Sequence, residues 1–133
     1  MKIVDVQGIG PAYAQKLAKA GIRTTETLLK KGALPEGRKE IEAMTGIGYH
    51  LILEWVNMAD LYRIKGVGSQ FSELLKKTGV DTVIELSKRL AKHLYMEMSE
   101  ANEAKNLVNR MPTMSQVEDW IKQAKKLPRV VNY

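Results

Sequence analysis

The sequence predicts an all-α protein built from two tandem copies of one helical unit. Three observations predict it. Period-2 alternation is confined to Ile3-Val4-Asp5-Val6, while apolar residues elsewhere recur at steps of three and four. Prolines and glycines such as Pro11, Gly21, Pro35 and Gly79 stand where helices start and stop. The chain also repeats itself. A shift of 58 positions (66 − 8) lays Gly8, Gly10, Leu17, Lys19, Gly21, Thr24 and Leu28 on Gly66, Gly68, Leu75, Lys77, Gly79, Thr82 and Leu86. A second register, shifted by 65 (120 − 55), lays Glu54-Trp55-Val56 and Ala59 on Asp119-Trp120-Ile121 and Ala124. The two copies are expected at residues 1–62 and 63–133.

The elements follow in order. Pro11 suits a first helical position, where its missing N–H would lack a partner anyway. Tyr13, Ala14, Leu17 and Ala18 carry this helix, and Gly21 ends it. Thr24 is an N-cap for a helix through Leu28 and Leu29, ended by Gly32. Pro35 stands near the start of the next, through Ile41 and Met44. Leu51, Ile52, Trp55, Val56, Ala59 and Tyr62 give a wide apolar face to the clearest long helix. Phe71, Leu74 and Leu75 carry another, up to Gly79. Thr82 to Glu85 has the spacing of a capping box ahead of Leu86 and Leu90. Helical spacing then runs from Leu94 to Met111, with a break or bend expected near Asn102 and a stop at Pro112. Thr113 or Ser115 caps a last helix, with Val117, Trp120, Ile121, Ala124 and Leu127 inward. Pro128 ends it, leaving residues 129–133 as an extended tail.

The chemistry concentrates in the glycine pairs. Val6-Gln7-Gly8-Ile9-Gly10 and Ile64-Lys65-Gly66-Val67-Gly68 each place a tight turn before a helix, and Thr45-Gly46-Ile47-Gly48 is a reduced form. Glycine permits φ > 0 and lets another group approach the backbone. The following helix presents unpaired N–H groups and a partial positive charge, which together favour an anion.

Composition narrows the classes. The 133 residues include no cysteine, so disulfides and thiolate metal sites are excluded. No apolar run approaches the ~20 residues of a membrane span, and the first residues lack a signal-peptide layout. A cytoplasmic protein with no membrane partner is expected. Net charge is +6, with the larger share of the excess in residues 64–133. Such a surface favours polyanions without requiring them. His50 and His93 are the only histidines, and their spacing gathers no ligand set or catalytic group, so no enzyme is expected. Asp5-Val6-Gln7-Gly8-Ile9-Gly10 imitates a dinucleotide fingerprint, but its third glycine position is Tyr13 and no strand frames it. Trp55 and Trp120 lie on apolar faces and are expected in the core. Lys88, Arg89 and Lys92, like Lys122, Lys125 and Lys126, sit at helix ends, where cations complement the dipole.

These turns resemble the helix-hairpin-helix motif, an apolar-x-Gly-apolar-Gly hairpin joining two short helices. Gly8-Ile9-Gly10 and Gly66-Val67-Gly68 match it, each with a small residue four positions on (Ala14, Ser72) and with Leu17 and Leu75 behind. From about Val4 to Tyr133 the chain is similar to a bacterial group, the domain-of-unknown-function family 4332. The resemblance includes Val117-Glu118-Asp119-Trp120-Ile121 and the closing Leu127-Pro128-Arg129. It implies two tandem pairs of helix-hairpin-helix motifs, SAM-like five-helix units packed as one body. It also implies DNA binding, duplex and without sequence preference, by hairpin amides on phosphates. Carried over, the contacts fall on Gly8, Ile9 and Gly10 and on Gly66, Val67 and Gly68, with Lys16, Lys19, Lys65 and Lys77 as nearby charges. No cofactor is implied beyond the monovalent cation that some members hold on hairpin carbonyls. Members that bind DNA often carry Lys or Arg two residues after the second glycine; here those positions are Ala12, Gln70 and His50. Those departures keep a protein-interaction or scaffolding module as the alternative.

Overall fold

The computed structural model describes all 133 residues, and its regular elements are all helical. A 3-10 turn covers Ile3–Asp5. Then come α1 (Pro11–Lys19), α2 (Thr25–Gly32), α3 (Pro35–Thr45), α4 (Tyr49–Leu61), α5 (Ser69–Lys77), α6 (Val83–Ser87), α7 (Ala91–Lys105) and α8 (Met114–Lys126). One isolated antiparallel bridge pairs Lys2 with Thr24. No helix is long and apolar enough to cross a membrane.

The chain divides into two compact units, Met1–Asp60 with Val130–Tyr133, and Leu61–Arg129. The structural division therefore falls two residues before the expected one. The last four residues group with the first unit, because Val131 is buried and Asn132 donates its N–H to the Ala33 carbonyl.

In the first unit, α1 and α2 both pack on α3. Ile3, Val6 and Ile9, three residues apart, turn inward along the 3-10 turn and the hairpin. Pro11 and Pro35 open their helices. Thr24 caps α2 by accepting from the Thr27 N–H at 3.2 Å. Two positions hold more than the periodicity showed. A Cβ on Gly37 would lie 1.9 Å from the Lys31 carbonyl oxygen, so α3 meets the end of α2 backbone to backbone. Beside it, Arg38 is 1% exposed. Its guanidinium donates to the carbonyls of Gly32 and Ala33, where α2 ends and its dipole is negative.

In the second unit, α5 packs on α7, and α6 and α7 pack on α8. Leu74, Leu75, Leu86, Leu94, Met98, Val117 and Trp120 form its centre. Three local expectations change here. Thr82 opens α6 without capping it; its hydroxyl donates to the Glu85 carboxylate instead, so no capping box forms. The capping box is at Thr113 and Gln116, each side chain holding the other's backbone N–H. And α7 does not break at Asn102 but runs to Lys105, where Asn106 turns left-handed at φ 50°. Asn102 instead uses its amide to hold both the N–H and the carbonyl of Val108. It anchors the non-helical return that the Leu107 and Val108 spacing had disguised as helix.

Candidate nucleic-acid interface

Each glycine pair divides its labour. The first glycine takes the left-handed conformation, φ +91° at Gly8 and +98° at Gly66. The second does not: Gly10 and Gly68 are extended, at φ −84° and −106°. A Cβ added at Gly10 or Gly68 would meet nothing within 4 Å. So neither backbone conformation nor packing requires glycine there, and its absence of side chain leaves the helix end open to approach. The residue between the two is a core anchor. Ile9 and Val67 are 2% and 5% exposed. Burying such a side chain contributes about 1.5–3 kcal/mol.

A tryptophan floors each turn. The nearest atom to a Cβ on Gly8 would be Trp55 Nε1 at 3.8 Å, and on Gly66 it would be Trp120 Nε1 at 2.9 Å. Trp55 meets Tyr13 edge-on with centroids 5.1 Å apart, and Trp120 meets Phe71 at 5.3 Å. Both indoles are buried, as core residues rather than platforms for bases. Gly66→Ala then combines a disfavoured φ with a hard contact and is expected to destabilise by about 2–3 kcal/mol. Gly68→Ala, by contrast, is expected to stay within about 0.5 kcal/mol of the parent. Urea unfolding of the two variants followed by circular dichroism checks the contrast; equal losses would contradict the division of labour.

The three glycine turns and, as a fourth, the Met111-Pro112-Thr113 segment before α8 differ in how their helix ends are satisfied. Gly10 and Gly68 are the N-caps of α1 and α5, and neither helix has a side-chain cap. The third turn is closed from within. Glu42 accepts from the Tyr49 N–H at 2.9 Å, and Thr45 Oγ1 accepts from the Ile47 N–H. The fourth is closed by the Thr113 and Gln116 box. In each copy the first of these segments thus precedes a helix without a side-chain cap and the second a helix start closed by the chain itself; α3, α6 and α7 also start without a side-chain cap, at Leu34, Thr82 and Leu90. At α4 the occupant is a carboxylate, an oxyanion supplied by the chain itself, where the dipole favours negative charge.

The expected contact residues are brought together only in part. The amides of Ile9 and Val67 are spent inside their turns, on the carbonyls of Val6 and Ile64. Ile9 and Val67 therefore serve as anchors and cannot grip a ligand as free donors. The Lys65 amide is also engaged. Gln123 accepts from it at 2.8 Å and donates to the Lys65 carbonyl at 3.1 Å, while also donating to Asp119. This clasp fixes the second turn and leaves the exposed Lys65 side chain beside the open end of α5. Lys16 stands 5.9 Å from the Tyr13 ring centre, three residues back toward the start of α1. Side chains on a helix lean that way. Lys19 and Lys77 lie in the last turns of α1 and α5. At 1.5 Å per residue that is about 12 Å along the axis from the hairpins. They complement the far ends of the dipoles instead. Nearby, burial pushes the Tyr62 phenol up, and its oxygen accepts from Ser72 inside α5. Burial likewise lowers Lys76, with Lys77 adding repulsion.

Glu42, Gln123 and Arg38 escaped sequence reasoning. Gln123 acts 58 residues from Lys65, and Glu42 acts across a turn, seven residues from Tyr49. No local spacing signals either.

Residues 7–127 match the family described as Domain of unknown function (DUF4332). The chain belongs to that family. The match spans both glycine turns, both tryptophan helices and the Lys65–Gln123 clasp. No curated protein and no solved structure matches the chain.

Proposed function

We propose that this DUF4332 protein binds the backbone of nucleic acid, preferring duplex DNA, without reading sequence. The grip is the pair of uncapped helix starts at α1 and α5, with Gly10 and Gly68 leaving room for a phosphate and Lys16 and Lys65 adding charge. The turns act as helix-hairpin-helix elements, the first of them following the 3-10 turn Ile3–Asp5. The observation that carries this reading is at the two glycine turns: α1 and α5 start on Gly10 and Gly68 with no side-chain cap and with empty space where a Cβ would stand, whereas the start of α4 is filled by a carboxylate. The protein would act as a cytoplasmic binder in bacteria and not as an enzyme.

Magnitudes make the binding weak. An anion at a helix start gains typically 0.3–1 kcal/mol, about 2 at best. Two such sites and two lysines belong with non-specific affinities, about 10⁻⁴–10⁻⁶ M. If each hairpin takes one or two phosphates, the log–log dependence on salt has a slope of about −2 to −4. Phosphate contacts position without specifying, so duplexes of different sequence should bind alike. An anisotropy titration over a salt series measures both. No binding at low salt, or a slope near zero, would leave the scaffolding alternative, which the neutral Ala12 and Gln70 favour.

A further inference from the structure

Each unit holds one tryptophan, and the indole nitrogen of each is left over. Trp55 is 3% exposed and Trp120 1%, yet neither indole N–H has an acceptor in the chain. A buried tryptophan N–H ordinarily finds a partner, because a bare one costs the desolvation of the group. No side-chain nitrogen sealed from solvent lacks a partner in this protein. What little surface each indole keeps therefore includes its nitrogen.

Both nitrogens face a glycine turn. Trp120 Nε1 lies 2.9 Å from the place of a Cβ on Gly66, with Cδ1 at 3.8 Å and Cε2 at 3.9 Å. The two ring carbons that flank the nitrogen are farther off and nearly equidistant, so the N–H points at that spot. Trp55 Nε1 stands in the same relation to Gly8, at 3.8 Å, with no other atom within 4 Å. The chain reaches this pairing twice, although the glycines repeat at a shift of 58 and the tryptophans at 65. Gly8 and Gly66 stand two residues before the N-caps Gly10 and Gly68, at most about 7 Å away.

We propose that Trp55 and Trp120 each donate the indole N–H to a phosphate oxygen held at the glycine turn, beside the open start of α1 or α5. This rests on the nucleic-acid reading above and adds a neutral donor to each site. The first glycine then has a duty besides its φ. It leaves the indole N–H uncovered, where a Cβ would cover it. The donor serves where the positions after the second glycine, Ala12 and Gln70, bring no charge. Being neutral, it adds affinity without releasing a further counterion.

With two tryptophans in the chain, a protein labelled on its indole nitrogens gives two indole cross-peaks in a nuclear magnetic resonance spectrum. Titrated with a short DNA duplex at low salt, both indole protons should move downfield in step with the binding that anisotropy reports. Replacing both tryptophans by benzothienylalanine keeps the ring shape and puts sulfur in place of N–H. That change should raise the Kd about fivefold or more and leave the melting temperature and the salt slope at the parent's values. If the duplex binds and both cross-peaks stay still, the inference is overturned while the helix starts keep their phosphates. Equal affinity of the benzothienyl and parent proteins overturns it in the same way. Should the substituted protein fail to fold, the cross-peaks of the parent chain decide. If the duplex does not bind at low salt, the nucleic-acid reading falls first and this inference falls with it.

Discussion

Replacing Gly37 by alanine is expected to lower the melting temperature of the first unit by about 10 °C or more. Alanine in a helix normally gains about 1 kcal/mol over glycine. Here the new Cβ would sit 1.9 Å from the Lys31 carbonyl oxygen, with the Lys31 carbonyl carbon at 3.1 Å. Both are backbone atoms and cannot swing aside as a side chain does. Relief requires α2 and α3 to part, and that disturbs Ile41, Leu28 and Arg38, all buried. Overpacking of this kind costs typically 1–3 kcal/mol and more where backbone must move, so the loss outweighs the propensity gain. Thermal unfolding measures it. Gly10→Ala is the companion control, since its Cβ meets nothing within 4 Å. A Gly37→Ala protein as stable as that control would contradict the close helix contact.

Arg38→Leu is expected to cost about 2–5 kcal/mol, because several backbone acceptors lose a charged donor at once. The leucine fills part of the volume but donates nothing. The carbonyls of Gly32 and Asn132 each lose a donor at 2.7 Å, the first of them in a buried position. Leaving such acceptors unpaired costs about 1–3 kcal/mol each. Arg38→Lys should recover only part, because one ammonium cannot replace a planar fork addressing three directions. Urea unfolding of the pair gives the comparison. Equal stability of Arg38→Leu and the parent would show that the guanidinium is not a structural tie.

What the sequence disclosed is what local chemistry governs. The doubled glycines, the proline starts at Pro11 and Pro35, the Thr24 cap and the glycine stops at Gly21 and Gly79 all act within a few residues. Their spacing therefore exposed the helical class and the two open turns. What it hid acts at a distance or chooses between near-equal local bonds. Thr82 had the letters of a capping box, but its hydroxyl found the Glu85 carboxylate first. Asn102 looked like a helix breaker, and its amide instead reaches forward to Val108 from inside α7. Arg38 carried no signal in the local spacing; the fold wraps the end of α2 and residue 132 around it. At the candidate interface, the glycines and Lys19 and Lys77 belong to the repeat, whereas Lys16 and Lys65 fall opposite Leu74 and Gln7 and stood out only as charges near the turns. That Lys19 and Lys77 lie at the wrong ends of their helices follows from helix rise. The closure of the third turn by Glu42 required the folded chain.

The most direct measurement on the open helix starts is duplex binding by a chain carrying both Gly10→Asp and Gly68→Asp. Both positions are N-caps in extended conformation with empty space around them. Aspartate is favoured there, and its carboxylate would accept from the first-turn amides, as Glu42 does at α4. Folding stability should hold or rise by a few tenths of a kcal/mol. Duplex affinity should fall at least about tenfold and its salt slope move toward zero, because each phosphate site is then taken by the protein's own anion. A stable double variant that binds duplex with the parent's affinity and slope would show that α1 and α5 do not hold phosphate.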